Sequence, residues 1–163
     1  MIVPQDVGES LEQQSPLHQT ASVLVVDDEV DLCRLLVRLL TLDGVAAAYV
    51  TSGEAALEFV KAHSIKVMLL DLMMPGTTGF EVLQSLRASK EFSMLPVVIY
   101  SARVDAEIRD EARLLGAQAF VAKAVDSFDH LQMVVKQYSE PTTRPPGKKP
   151  NPPPLGPPPT GQC

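Results

Sequence analysis

The chain has 163 residues, 45% of them hydrophobic, which suits one domain with a substantial core and room for tails. Its formal charge of −6 argues against general nucleic-acid binding through phosphates. No apolar run approaches the roughly 20 residues that span a bilayer, and the first twenty residues lack the basic start and apolar middle of a signal peptide. The two cysteines, Cys33 and Cys163, offer no disulfide framework and suit a reducing cytoplasm.

Residues 1–20 are polar, contain Pro4 and Pro16, and carry three acids with no Lys or Arg, so they read as a flexible leader. Val23-Leu24-Val25-Val26 is an apolar, β-branched run and predicts a buried strand. It runs into Asp27-Asp28-Glu29. From Val30 the pattern turns helical, with Leu32, Leu35, Leu36, Leu39 and Leu40 at spacings of three and four, and Asp43-Gly44 closes the helix. Acids suit a helix start, but one would serve. Three after a buried strand repel one another and ask for another reason. Cys33 reads as a small buried apolar residue.

Residues 45–50 form a weaker, Ala-rich strand. Thr51 or Ser52 caps the next helix, whose apolar face is Ala55, Ala56, Phe59 and Val60, and which ends near His63, read as an exposed helix-end residue. Residues 66–70 form a strand ending at Asp71. The run Val67-Met68-Leu69-Leu70 before one carboxylate is the mark of a strand buried on both faces. Pro75, Gly76 and Gly79 make the following loop tight. A helix to about Ser89 follows, with Phe80, Val82, Leu83 and Leu86 as its apolar positions. Pro96 opens a fourth strand through Tyr100, where proline is tolerated. A charged helix over 105–115 is stopped by Gly116. Residues 117–122 form the fifth strand, ending at Lys123, and residues 126–138 the last helix.

Five strand–helix units in alternation predict an α/β fold. It is a doubly wound, five-stranded parallel sheet of flavodoxin-like order 2-1-3-4-5 with five helices; a barrel would need eight units. Domain bounds are a leader at 1–20, the folded unit at 21–139, and a tail at 140–163. The tail holds ten prolines and few large apolar side chains, so it cannot bury a core. Its Pro150-Asn-Pro-Pro153 spacing could dock an aromatic groove, but a plain linker is the preferred reading.

In this architecture, ligands bind at the carboxyl ends of the strands. Those ends collect Asp27 and Asp28, Asp71, Ser101 and Lys123 at one edge of the sheet. Three crowded carboxylates call for a hard divalent cation, and Mg²⁺ suits one or two carboxylates together with water and phosphate. A carboxylate beside it can attack phosphorus to form an aspartyl phosphate. The ammonium of Lys123 and the hydroxyl of Ser101 can then meet the transferred oxygens.

With these residues assembled, the chain resembles the receiver domain of two-component response regulators over about residues 21–139. The resemblance rests on Val-Asp-Asp-Glu at 26–29, Asp71 with its Met-Pro-Gly-x-x-Gly loop, Tyr-Ser-Ala at 100–102 and Phe-Val-Ala-Lys at 120–123. It implies Asp71 as phosphoacceptor, Asp28 as a direct Mg²⁺ ligand, Asp27 helping through water, and the backbone carbonyl of Met73 as a further ligand. It implies that Lys123 holds a phosphoryl oxygen, that Ser101 moves toward the phosphoryl group, and that Phe120 is a switch aromatic that rotates inward. The partners implied are a histidine kinase or phosphotransfer protein, and a downstream protein at the fourth helix, fifth strand and fifth helix. No DNA contact, no membrane insertion and a cytoplasmic location are expected.

Two departures stand out. The family lysine is usually followed by proline, often in a cis peptide; here Ala124 follows, and a cis bond there would cost roughly 2.5–4 kcal/mol, so a trans, differently shaped loop is expected. Met73 and Arg103 flank the site at variable positions and predict slow self-hydrolysis. The chain is read as no enzyme beyond its own phosphorylation and dephosphorylation. An aspartyl-phosphate phosphatase would need a second Asp where Met73 stands. The alternative kept open is an interaction module with the same fold that works without phosphorylation.

Overall fold

The computed structural model describes residues 21–103, 105–124 and 128–139. The expectations for the leader, the tail, Cys163 and the onset of the last helix at 126–127 lie outside these residues. Five strands and five helices alternate: β1 (Val23–Val26), α1 (Val30–Leu42), β2 (Ala47–Val50), α2 (Gly53–Ala62), β3 (Val67–Leu70), α3 (Gly79–Ala88), β4 (Val97–Ser101), α4 (Ala106–Leu114), β5 (Ala119–Ala122) and α5 (Phe128–Ser139). All strands pair in parallel in the order β2-β1-β3-β4-β5. This is the doubly wound topology expected from the sequence.

Alternate strand residues point to opposite faces, and each face has its own core. Leu24, Val26, Met68, Leu70 and Ile99 meet α2, α3 and α4 on one side. Val23, Val25, Leu69, Val98, Tyr100 and Val121 meet α1 and α5 on the other. The three central strands are buried at every position, which is why they read as unbroken apolar runs.

Helix ends follow the sequence signals. The Ser52 hydroxyl accepts from the Ala55 N–H, Asp105 accepts from Ile108, and Thr78 with Glu81 forms a reciprocal capping box. Gly44 and Gly116 follow α1 and α4 with φ of +79° and +96°, a region open to glycine at little cost.

The strands start later than the hydrophobic runs suggest. Val45 donates to Leu40 O and Ala117 to Ala112 O, so both residues still finish the preceding helix. The α1 stripe is also narrower than expected. Cys33, Leu36 and Leu40 are buried, while Leu35 is 51% exposed. A helix lying on a flat sheet buries one narrow face, and Leu35 falls beside it. His63 is half-buried rather than exposed. Its ring stacks on Phe59 at 4.0 Å between centroids, and its Nδ1 lies 3.1 Å from Phe59 O.

One side chain binds several loops. Arg87 on α3 donates to Gly116 O through Nε at 3.2 Å and through a terminal nitrogen at 2.8 Å. It also reaches Leu95 O at 3.0 Å and the Gln118 side chain at 3.1 Å. Helix α4 is anchored more lightly. Ala112 is its one fully buried residue, and the Arg109 guanidinium lies over the Phe120 ring on β5, 5.5 Å from its centroid. Among the described residues no helix is long and apolar enough to cross a membrane.

Candidate functional site

Strand register assembles the site. Val26 pairs with Leu70 across β1 and β3, so Asp27 and Asp71 leave the sheet side by side. Ser101 pairs with Ala122 across β4 and β5, so Lys123 follows one residue beyond. Asp27 and Asp71 are 2% and 4% exposed, and Ser101 is fully buried, whereas Asp28 is exposed. A carboxylate oxygen from each of Asp27, Asp28 and Asp71 lies within 4.8 Å of the others. The five polar residues collected from the strand ends thus share one edge of the sheet.

The two buried carboxylates are held alike. Asp27 Oδ1 accepts from the Glu29 N–H at 3.0 Å, and Asp71 Oδ1 from the Met73 N–H at 3.3 Å. Their Oδ2 atoms face the ammonium of Lys123, at 2.5 Å for Asp27 and 3.3 Å for Asp71. That ion pair is the contact that Asp27 Oδ2 makes. Asp27 therefore holds its acid run in place without capping α1, whose N-cap, Glu29, makes no side-chain cap bond.

The electrostatics follow from crowding. Burial pushes the Asp71 carboxyl above the usual range; Lys123 pulls it back in part, and the charge of Asp27 pushes it up again. Burial alone would lower the Lys123 ammonium, but its bond to Asp27 and the charges of Asp27 and Asp71 together raise it. It stays a cation. Three acids against one such ammonium leave an excess of negative charge and hard oxygen donors, a set that fits a hard divalent ion.

The loop after β3 is fixed tightly. Gly79 starts α3 against the Asp71 carbonyl, so close that an added Cβ would lie 2.1 Å from that oxygen. Thr77 donates its hydroxyl to Glu54, tying the loop to α2. The Met73 side chain is 53% exposed at the mouth of the site. On the β4 side, Ser101 Oγ accepts from the Arg103 N–H at 3.3 Å, while the Arg103 guanidinium pairs with Asp105 at 3.2 Å. Phe120 is half-buried against the α2–α3–α4 core. The Lys123–Ala124 peptide is trans, since no cis bond occurs among the described residues.

Three contributors were not singled out in the sequence. The Cys33 thiol donates to the Asp27 carbonyl at 3.3 Å, although its place in a helical stripe marked it only as core. Tyr100 lies under the Lys123 ammonium, 5.9 Å from ring centroid to nitrogen. Gly79 was legible as a loop residue but not as the floor beneath Asp71.

Comparison with known proteins agrees with this geometry. Residues 23–136 match the model of the response regulator receiver domain. The chain belongs to that family. Among curated relatives, the sensory transduction protein RegX3 of Mycobacterium tuberculosis is 43% identical over 103 residues, which is 63% of this chain and 44% of that protein. The chemotaxis protein CheV1 of Helicobacter pylori is 30% identical over 135 residues, 80% of this chain and 41% of the relative. This receiver chain therefore spans less than half the length of either. Among solved structures, the response regulator TrrA of Thermotoga maritima, in complex with Mg²⁺ and BeF, superposes with a TM-score of 0.64. It is 28% identical, and the match covers 72% of this chain and 98% of that one.

Proposed function

We propose that the chain is a Mg²⁺-dependent phosphoacceptor whose Asp71 takes a phosphoryl group from a histidine kinase or phosphotransfer protein. A carboxylate oxygen of Asp71 forms the new bond to phosphorus as the bond to the donor breaks, leaving an acyl phosphate on the protein. Asp28, Asp71 and the Met73 backbone carbonyl would hold the metal, with Asp27 helping through water. The ion would neutralise charge on the transferring oxygens. Lys123 supplies a second positive group already aimed at Asp71, and Ser101 a hydroxyl at the neighbouring strand end. The phosphoryl group stays on the chain until water removes it, so the protein turns over no separate substrate.

The observation that carries this reading is the Asp27–Asp28–Asp71 cluster faced by one raised lysine. TrrA, a structural relative, carries Mg²⁺ and BeF in its solved complex, which supports the same ligand chemistry here. On this reading, output runs through protein contacts at α4, β5 and α5, with Phe120 as the switch aromatic. The acidic charge gives no reason to add DNA, and the setting is cytoplasmic.

The test is incubation with acetyl phosphate and Mg²⁺, followed by intact-mass spectrometry. The parent chain gains one phosphoryl group, Asp71→Asn gains none, and chelation of the metal abolishes the gain. A parent chain that stays unmodified at high donor concentration would instead favour the phosphorylation-independent module.

A further inference from the structure

Lys123 has to cross β4 to reach carboxylates on β3 and β1, because β5 is the edge strand. Its stem is long and rotatable, and 17% of its side chain remains exposed. Two features hold it. The first is backbone: the Lys123 N–H donates to Ser101 O, and the Ala124 N–H donates to Ala122 O, both at 2.9 Å. The second bond closes a tight turn centred on Lys123, and a proline at 124 would lack the N–H that makes it.

The second feature is Tyr100, 7% exposed and packed among the α1 and α5 core residues, which turns its ring toward the ammonium. The two carboxylates approach the nitrogen at 2.5 and 3.3 Å, and the ring supplies a further electron-rich wall. A cation over an aromatic face is attracted by the ring quadrupole, more so where water is scarce. Asp27 alone would hold the ammonium toward β1. The Tyr100 ring faces the same nitrogen that lies 3.3 Å from Asp71.

We propose that Tyr100 is a positioning residue for Lys123: its ring face keeps the ammonium poised over Asp71. The consequence for phosphoryl uptake rests on the reading of Asp71 as phosphoacceptor; the contact itself does not.

The experiment compares Tyr100→Leu with Tyr100→Phe in the full chain, with Tyr100→Met as a longer, more flexible apolar alternative if the leucine variant folds poorly. At saturating Mg²⁺, acetyl phosphate labels Asp71 about three- to tenfold more slowly without the ring, in line with a partly desolvated cation–aromatic contact. Tyr100→Phe stays within about twofold of the parent because it keeps the ring face. Mg²⁺ affinity, measured calorimetrically, stays within about twofold in both. In chain labelled with ¹³C-lysine, the Lys123 ε-methylene signal lies upfield in the parent and Tyr100→Phe, and returns to the ordinary lysine position in the apolar variant.

The NMR arm decides the contact even if no chain accepts a phosphoryl group, which would sink the parent reading instead. An unshifted Lys123 signal in the parent, a phenylalanine variant as slow as the apolar one, or an apolar variant as fast as the parent overturns the proposal.

Discussion

Replacing Gly79 by alanine tests how rigidly the acidic residue at the end of β3 is seated. A Cβ at 79 would stand 2.1 Å from the Asp71 carbonyl oxygen and 2.7 Å from Leu72 Cα. Ordinary carbon contacts lie near ~3.5 Å, so about 0.8 Å of separation has to be found at Leu72 Cα and about 1.4 Å at the Asp71 oxygen. Both neighbours are backbone, and no rotamer change can supply it. Overpacking of this kind costs about 1–3 kcal/mol, and the upper end applies where backbone must move. At this first helical position alanine returns at most about 0.5 kcal/mol through its better helix propensity. The net loss is about 2 kcal/mol, or a Tm lower by about 8 °C for a domain of this size. Because the displaced group is the Asp71 carbonyl, its carboxylate moves too. Misplacement on the scale of 1 Å can slow a positioned reaction by as much as about 100-fold, so acetyl phosphate labelling falls at least about tenfold at a temperature where the variant is still folded. Thermal unfolding followed by circular dichroism and intact-mass kinetics on the same sample read both effects. A variant that melts at or above the parent and labels at the parent rate refutes the steric reasoning.

Asp71→Asn raises stability at neutral pH in the presence of a chelator. Burial lifts the Asp71 pKa above its unfolded value, so the folded state favours the protonated form and the ionised carboxylate is destabilising at pH 7. That difference shrinks as pH falls through the raised pKa; melting curves at several pH values show whether the two proteins converge in acid. Cys33, whose thiol is pushed up to about 12 by burial and then by Asp27, resists iodoacetamide at pH 8 in a Cys163→Ser background and reacts once urea unfolds the chain. Since an unfolded thiol ionises near ~8.5, this residue makes stability decline as pH rises past that point, and Cys33→Ala flattens the decline. Arg87→Met leaves carbonyls of two loops without their donor and lowers stability by about 2–3 kcal/mol in urea titrations. Arg87→Lys recovers only part of this, because an ammonium cannot fork between them.

The sheet order was legible because each central strand is a buried, apolar run up to its polar carboxyl end and each helix carries its own stripe. Asp27, Asp71, Ser101 and Lys123 were legible because an α/β sheet brings strand ends to one edge. What stayed hidden depends on neighbours far away in the chain. Tyr100 looks like any other aromatic in a buried strand, and nothing local says that a lysine from the next strand crosses its face. Gly79 looks like loop punctuation until the Asp71 carbonyl is found against it. Leu35 fits the 3.6-residue period, yet the breadth of the covered stripe is set by the sheet beneath. Cys33 was rightly read as buried, but its bond to the Asp27 carbonyl depends on how α1 folds back over β1.

Helix α4 is held by a single wholly buried alanine, by the half-buried Ile108 against the same core, and by a guanidinium resting on an aromatic ring. Lifting it away exposes far less greasy surface than dislodging any of the other four helices, so its amides should trade protons with solvent through small local openings long before the sheet lets go. Any event that turns Phe120 out from beneath Arg109 removes one of the few tethers this segment has. The part of the molecule that is easiest to reseat therefore lies directly across from a ring on the strand that leads into Lys123.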